Sequence, residues 1–130
     1  MRVLHLFSNY KWTGPAEPAV NVCLGLRKLG IEANFSCPAL GLEADGFVAG
    51  EARRRGLEPL IEFALPKHRG VTMNWADVRK LRRYLTEHPH DIVHCHLMND
   101  HSIAVGAARR KAAVVRSNYY GTGLEGHRLR

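Results

Sequence analysis

No apolar run in this chain approaches the roughly 20 consecutive residues that a membrane-spanning helix needs. The opening residues, Met1-Arg2-Val3-Leu4-His5-Leu6-Phe7, have no small-residue cleavage site behind them, which argues against a secretory signal. Cysteine is scarce. Cys23, Cys37 and Cys95 are odd in number and not closely spaced, which argues against a disulfide framework and points to a reducing cytoplasm. Acidic residues are also few, twelve Asp and Glu against nineteen Lys and Arg, for a net charge of +7. Internal repeats and low-complexity tracts are missing. What remains, 45% hydrophobic and 24% charged over 130 residues, suits one globular domain with its own core.

The surplus positive charge is clustered at Arg53-Arg54-Arg55, at Arg79-Lys80 with Arg82-Arg83, and at Arg109-Arg110-Lys111. Such clusters favour phosphorylated ligands or an anionic membrane face, and they read equally well as solvated helix faces with basic last turns. A nucleic-acid partner would rest on charge alone and is not expected.

The stretch the rest is organised around is Asp91-Ile92-Val93-His94-Cys95-His96-Leu97-Met98-Asn99-Asp100-His101. Ile92 to Cys95 is a short apolar run with β-branched residues that breaks off in polar ones, the pattern of a central parallel strand at its carboxyl end. In open α/β sheets that edge is where ligands bind. Arg2 to Phe7 gives a first strand, continuously apolar enough to be covered on both faces. A polar loop, Ser8 to Pro15, leads to a mostly buried helix over Ala19 to Leu29, with Pro18 in its first turn and Gly30 as its stop. Further strands are expected over 31–36, over 57–63 at a sheet edge because of Pro59, and over 112–116. A short basic helix is expected from about Gly46 to Arg55. Another follows Asn74-Trp75-Ala76-Asp77, which resembles a capping box, with Val78, Leu81 and Leu85 on one face. A last helix runs from Asp100 to Arg110, with Ile103, Ala104, Ala107 and Ala108 inward. The alternation of strands and helices predicts an α/β, Rossmann-like, doubly wound parallel sheet in three α/β/α layers. A fifth strand with nothing convincing after Gly121 reads as a fragment of a larger protein, one domain spanning 1–130.

Three constellations fall on the carboxyl edge of that sheet. The turn after the first strand holds Gly14 ahead of a helix N-terminus, which could offer N–H groups to an anion, though one glycine is not a dinucleotide fingerprint. His94, His96 and His101 flank Cys95 with zinc-like ligand types. On a strand, however, Cys95 points away from His94 and His96, so no metal site is expected. His94 suits a hydrogen-bonded core position, whereas His96, at the strand's end, is free to meet a ligand. The turn Ser117 to Gly121 contributes Asn118 and two tyrosines.

Gly14-Pro15-Ala16-Glu17 and the apolar helix ending in Leu29-Gly30 resemble the Gly-Gly-Ala-Glu turn and first helix of family 4 glycosyltransferases. Asp91-Ile92-Val93-His94-Cys95-His96 resembles that family's Asp-Val-Val-His-x-His strand, and Val114 to Tyr119 sits where the family has a strand ending in Thr-x-His. The resemblance implies the amino-terminal half of a GT-B architecture, with the carboxyl-terminal donor domain missing. It implies the acceptor-side domain of a retaining, metal-independent glycosyltransferase that moves a sugar from a nucleotide-sugar to an acceptor, with no cofactor. Gly14, His96, Asn118 and Tyr119 would contact the acceptor, which could be lipid-linked or phosphorylated. No catalytic residue is assigned by it, because Tyr119 stands where the family commonly has a histidine and Pro15 replaces the second glycine. The protein would be cytoplasmic, peripheral at the inner membrane face, and inactive as this piece alone. The alternative is a stand-alone flavodoxin-like binding domain without catalysis.

Overall fold

The structure is a computed structural model that describes residues 1–68 and 71–119, with residues 71–73 by their backbone alone. Four strands, β1 (Arg2–Leu6), β2 (Glu32–Ser36), β3 (Ile92–Cys95) and β4 (Ala113–Arg116), form one sheet in the order β2-β1-β3-β4. Every pairing is parallel, with His5 beside Phe35 on one side and beside His94 on the other, and with His94 beside Val115 in turn. The helices are α1 (Ala16–Lys28), α2 (Val48–Arg54), α3 (Val71–Glu87) and α4 (Met98–Ala107).

The period of two along β1 sorts the core into two halves. Leu4 and Leu6 join Val93 and Cys95 under Leu81 and Leu85 of α3 and Ile103, Ala104 and Ala107 of α4. On the other face Phe7 joins Ala33 and Phe35 under Ala19, Val20 and Cys23 of α1 and Val48, Ala49 and Ala52 of α2. This is the expected three-layer, doubly wound arrangement, and the helix stop read at Gly30 holds, with Gly56 playing the same part after α2. Gly30 follows α1 with φ +79° and Gly56 follows α2 with φ +94°, left-handed conformations that cost a side-chain-bearing residue free energy.

Three expectations are corrected. The strand over 57–63 is reduced to one parallel bridge, Leu60 to Ser36, held by Leu60 N–H to the Phe35 carbonyl (2.8 Å) and Cys37 N–H to the Leu60 carbonyl (3.2 Å). Pro59 has no N–H to extend the ladder. Leu57 is buried with the α1–α2 face and Phe63 with the α3–α4 face, so this segment carries the chain around the β2 edge from one layer to the other. Second, α1 begins at Ala16, which puts Pro18 at its third position. Third, α3 begins at Val71, ahead of Asn74, so Asn74 and Asp77 do not cap it. The buried Asp77 carboxylate instead accepts the N–H groups of Ala64 and Leu65, at 2.8 Å each, and fixes Leu65 in a left-handed conformation, φ +43°.

Candidate functional site

Connection β1–α1–β2 runs to one side of β1, whereas the return to β3 crosses to the other. The sheet's switch point therefore lies between β1 and β3, where ligands of doubly wound folds sit. Loops leaving the two strands there are pinned together by Asp100, on the first turn of α4. Its buried carboxylate accepts N–H groups from Leu97 (3.0 and 3.1 Å), Ser8 (3.3 Å) and His96 (3.4 Å), while its own N–H donates to the Ser8 hydroxyl (3.1 Å). Burial raises its pKa to about 7, against the opposing pull of those N–H donors. The rest of the β1–α1 loop is held from the far side. Val48 N–H donates to the Tyr10 carbonyl (2.9 Å), Trp12 N–H to the Gly46 carbonyl (3.0 Å), and the Arg55 guanidinium lies 4.4 Å from the Trp12 ring centroid.

Gly14 is exposed at the entry to α1, and a Cβ added there would meet nothing within 4 Å, so the position has space for a ligand. The anion-binding capacity of that helix end is nevertheless small. Pro15 and Pro18 carry no N–H, and the Ala16 N–H is already spent on the Thr13 carbonyl at 2.9 Å.

The histidines depart most from the sequence reading. His96 is not free: it is 2% exposed, its Nδ1 lies 2.6 Å from the Tyr119 hydroxyl, and its Nε2 lies 2.9 Å from Nδ1 of His5. His94 is half-buried and hydrogen-bonds through Nε2 to the Ser117 hydroxyl at 2.7 Å, as expected of a bonded core histidine. Cys95 does turn away, into the α3–α4 core, and His101 takes no part. The residue missed is His5. It pairs in register with His94, is fully buried, and completes a stack in which His94 and His96 ring centroids are 4.3 Å apart and His5 is 5.0 and 5.2 Å from them. Burial is the main cause that lowers the pKa of His5 to about 3 and of His96 to about 2, with neighbouring histidines adding to it. Both rings are therefore neutral at pH 7. Burial likewise lowers His94 and raises Tyr119, which keeps the phenol protonated. Of the residues expected to contact an acceptor, His96 and Tyr119 are joined directly, Asn118 is exposed beside Tyr119, and His96 lies beneath the surface. Tyr120 and Gly121, the rest of the expected turn, lie outside the described residues.

The basic clusters also separate. Arg53, Arg54 and Arg55 are paired with Glu43, Glu58, Asp45 and Glu51, so that cluster is locally neutralised. On α3, Arg79 lies over the exposed Trp75 ring (4.8 Å), and a depression of 430 Å³ lined by Trp75, Ala76, Arg79, Lys80 and Arg83 opens to solvent. Arg83 pairs with Glu87, whereas Arg79 and Lys80 form no ion pair among the described residues.

A Rossmann-like α/β domain whose three strand-end loops meet at the switch point is the class that these observations define. Glycosyltransferase Family 4 matches residues 14–123, and the chain belongs to that family. Two solved structures share its fold. One is MurG from Acinetobacter baumannii (TM-score 0.66, 12% identity), of which the chain covers 34% with 89% of its own length. The other is a putative UDP-N-acetylglucosamine 2-epimerase from Listeria monocytogenes (TM-score 0.65, 14% identity), of which it covers 30% with 88% of its own length. The chain thus spans about a third of each of these proteins. No curated protein matches it by sequence.

Proposed function

We propose that this chain is the acceptor-side domain of a retaining glycosyltransferase that takes its sugar from a nucleotide-sugar held by a second, carboxyl-terminal domain. The observation that supports it is the edge at the switch point, where Asp100 ties the loops after β1 and β3 together and the Tyr119 hydroxyl meets His96, with Asn118 exposed beside it and Gly14 open at the entry to α1. Tyr119 can present its hydroxyl to an acceptor because His96 orients it from below. With few N–H groups left at the start of α1, the edge suits a hydroxyl-bearing acceptor carrying a phosphate better than a diphosphate. Transfer depends on positioning donor and acceptor together, which one half of a cleft does not do, and no cofactor enters the reaction in this reading. Calorimetric titration of UDP-glucose into the chain is therefore expected to give no binding heat in the micromolar range. Micromolar affinity would move the donor site into this domain.

The acceptor is proposed to be lipid-linked and the protein to work in the cytoplasm, against the inner membrane face. The exposed Trp75 beside Arg79 and Lys80 supports this, an aromatic ring and cations on one amphipathic helix being what an anionic lipid surface attracts. No described helix is long and apolar enough to cross a membrane. Co-sedimentation with vesicles containing phosphatidylglycerol is expected to fall at least several-fold in an Arg79→Glu, Lys80→Glu variant. An unchanged bound fraction would remove α3 as the contact.

A further inference from the structure

We propose that His5, His94 and His96 form a site for one divalent transition-metal ion of the zinc type, which clamps β1 to β3 beneath the Ser117–Tyr119 segment. Sequence reasoning excluded a metal because Cys95 faces the opposite side of the sheet, and so it does; His5, from the neighbouring strand, takes the place that Cys95 cannot fill. The three side chains can each offer a ring nitrogen, and these atoms all lie within 4.8 Å of one another. His5 Nδ1 and His96 Nε2 are already 2.9 Å apart, close to the roughly 3.3 Å separating two nitrogens bound at ordinary zinc distances in a tetrahedron. In the metal-free protein one proton occupies that gap. Binding an ion there moves that proton to the other nitrogen of its own ring, so that both rings ligate as neutral imidazoles, with His94 completing a three-nitrogen set through the nitrogen opposite Ser117 and a water filling the fourth position.

The surroundings are those a ligating histidine needs. The other nitrogen of His96 is held by the Tyr119 hydroxyl and Nε2 of His94 by the Ser117 hydroxyl, oxygen partners that can accept an N–H there and aim the opposite nitrogen. His5 Nε2 is buried without a hydrogen-bond partner, so the cluster is not fully satisfied as it stands. Among the described residues the β4 side is the less covered one, where His94 and Ser117 are half-buried and Val115, beside His94 in the sheet, is 44% exposed. No described carboxylate or thiol belongs to the set, so the donors favour zinc, cobalt, nickel or copper over calcium or magnesium.

The test is titration of Co²⁺ and Zn²⁺ into the chelator-stripped chain. One equivalent should bind, Co²⁺ should give the visible absorption of a four-coordinate nitrogen site, and Zn²⁺ should raise the thermal midpoint. His94→Ala, at a half-buried position, should weaken binding at least a hundredfold, whereas His88→Ala, exposed just past the end of α3, should leave it unchanged. Binding that survives His94→Ala, or no binding at tens of micromolar metal, overturns the site. Should His94→Ala fail to fold, X-ray absorption on the zinc-loaded natural chain decides: three imidazole scatterers support the assignment, and an oxygen-dominated shell refutes it.

Discussion

Replacing Asp100 by alanine should cost the fold on the order of 3–5 kcal/mol, because the N–H groups of Ser8, His96 and Leu97 would be left buried without an acceptor. Asp100, Ser8 and His96 are all essentially inaccessible, so bulk solvent does not reach these groups in the folded chain. Stability of this size is a large fraction of what a domain of 130 residues holds, so the variant should unfold at far lower urea or fail to fold at 25 °C. Asp91→Ala is the comparison. The Asp91 carboxylate also accepts a backbone N–H, that of Arg2 at 2.7 Å, but at an exposed position where water can replace it, and the loss should stay near 1 kcal/mol. Equal urea midpoints for the two variants would show that the switch-point loops are not held by Asp100.

The second large effect is on acid stability. His5 and His96 have folded pKa values of about 3 and about 2 against 6.5 unfolded, so between those limits the unfolded chain binds protons that the folded chain does not. Stability from these groups is complete above pH 6.5 and is lost as the pH falls. Asp100 works the other way. Its folded pKa of about 7 lies above the unfolded 3.8, so its contribution is complete at low pH and lost as the pH rises through 7. Two histidines against one carboxyl leave a net slope of about 1.4 kcal/mol per pH unit, and with the lowered His94 adding in the same direction the metal-free chain should lose at least roughly 3 kcal/mol between pH 6 and pH 4. Urea midpoints measured in chelator across that range test it. A flat profile would mean that the histidine stack is hydrated in solution.

Much of the fold was legible because it rests on local patterns. The apolar runs at Arg2 to Phe7, Ile92 to Cys95 and Ala112 to Val115 place β1, β3 and β4, and Ile103, Ala104 and Ala107 on α4, with Ala108 just after it, are buried as their spacing predicts. The errors fall where a side chain works at a distance. Asn74 and Asp77 look like a cap, but Asn74 exchanges amide hydrogen bonds with Asn99 (2.7 and 3.1 Å) and Asp77 holds the 64–65 backbone. Segment 57–63 reads as a strand because Leu57, Leu60, Ile61 and Phe63 are apolar; that only Leu57 and Phe63 are buried, and on opposite faces, is a property of the path. At the site, the sequence located the edge and the residues on it but had His96 pointing outward. What buries it is the register of β1 on β3, which sets His5 opposite His94 across 89 residues of chain, and no periodicity within either strand encodes that offset.

The most direct test of the acceptor-side reading is an amide-resolved NMR titration of the chain with glycerol 3-phosphate, a small phosphorylated polyol. Binding at the edge should shift the resonances of Gly14, Leu97, Asn118 and Tyr119 together, with Arg53 to Arg55 unmoved because their charges are already paired. Shifts confined to Arg79, Lys80 and their neighbours on α3, with the switch-point edge silent, would contradict the account.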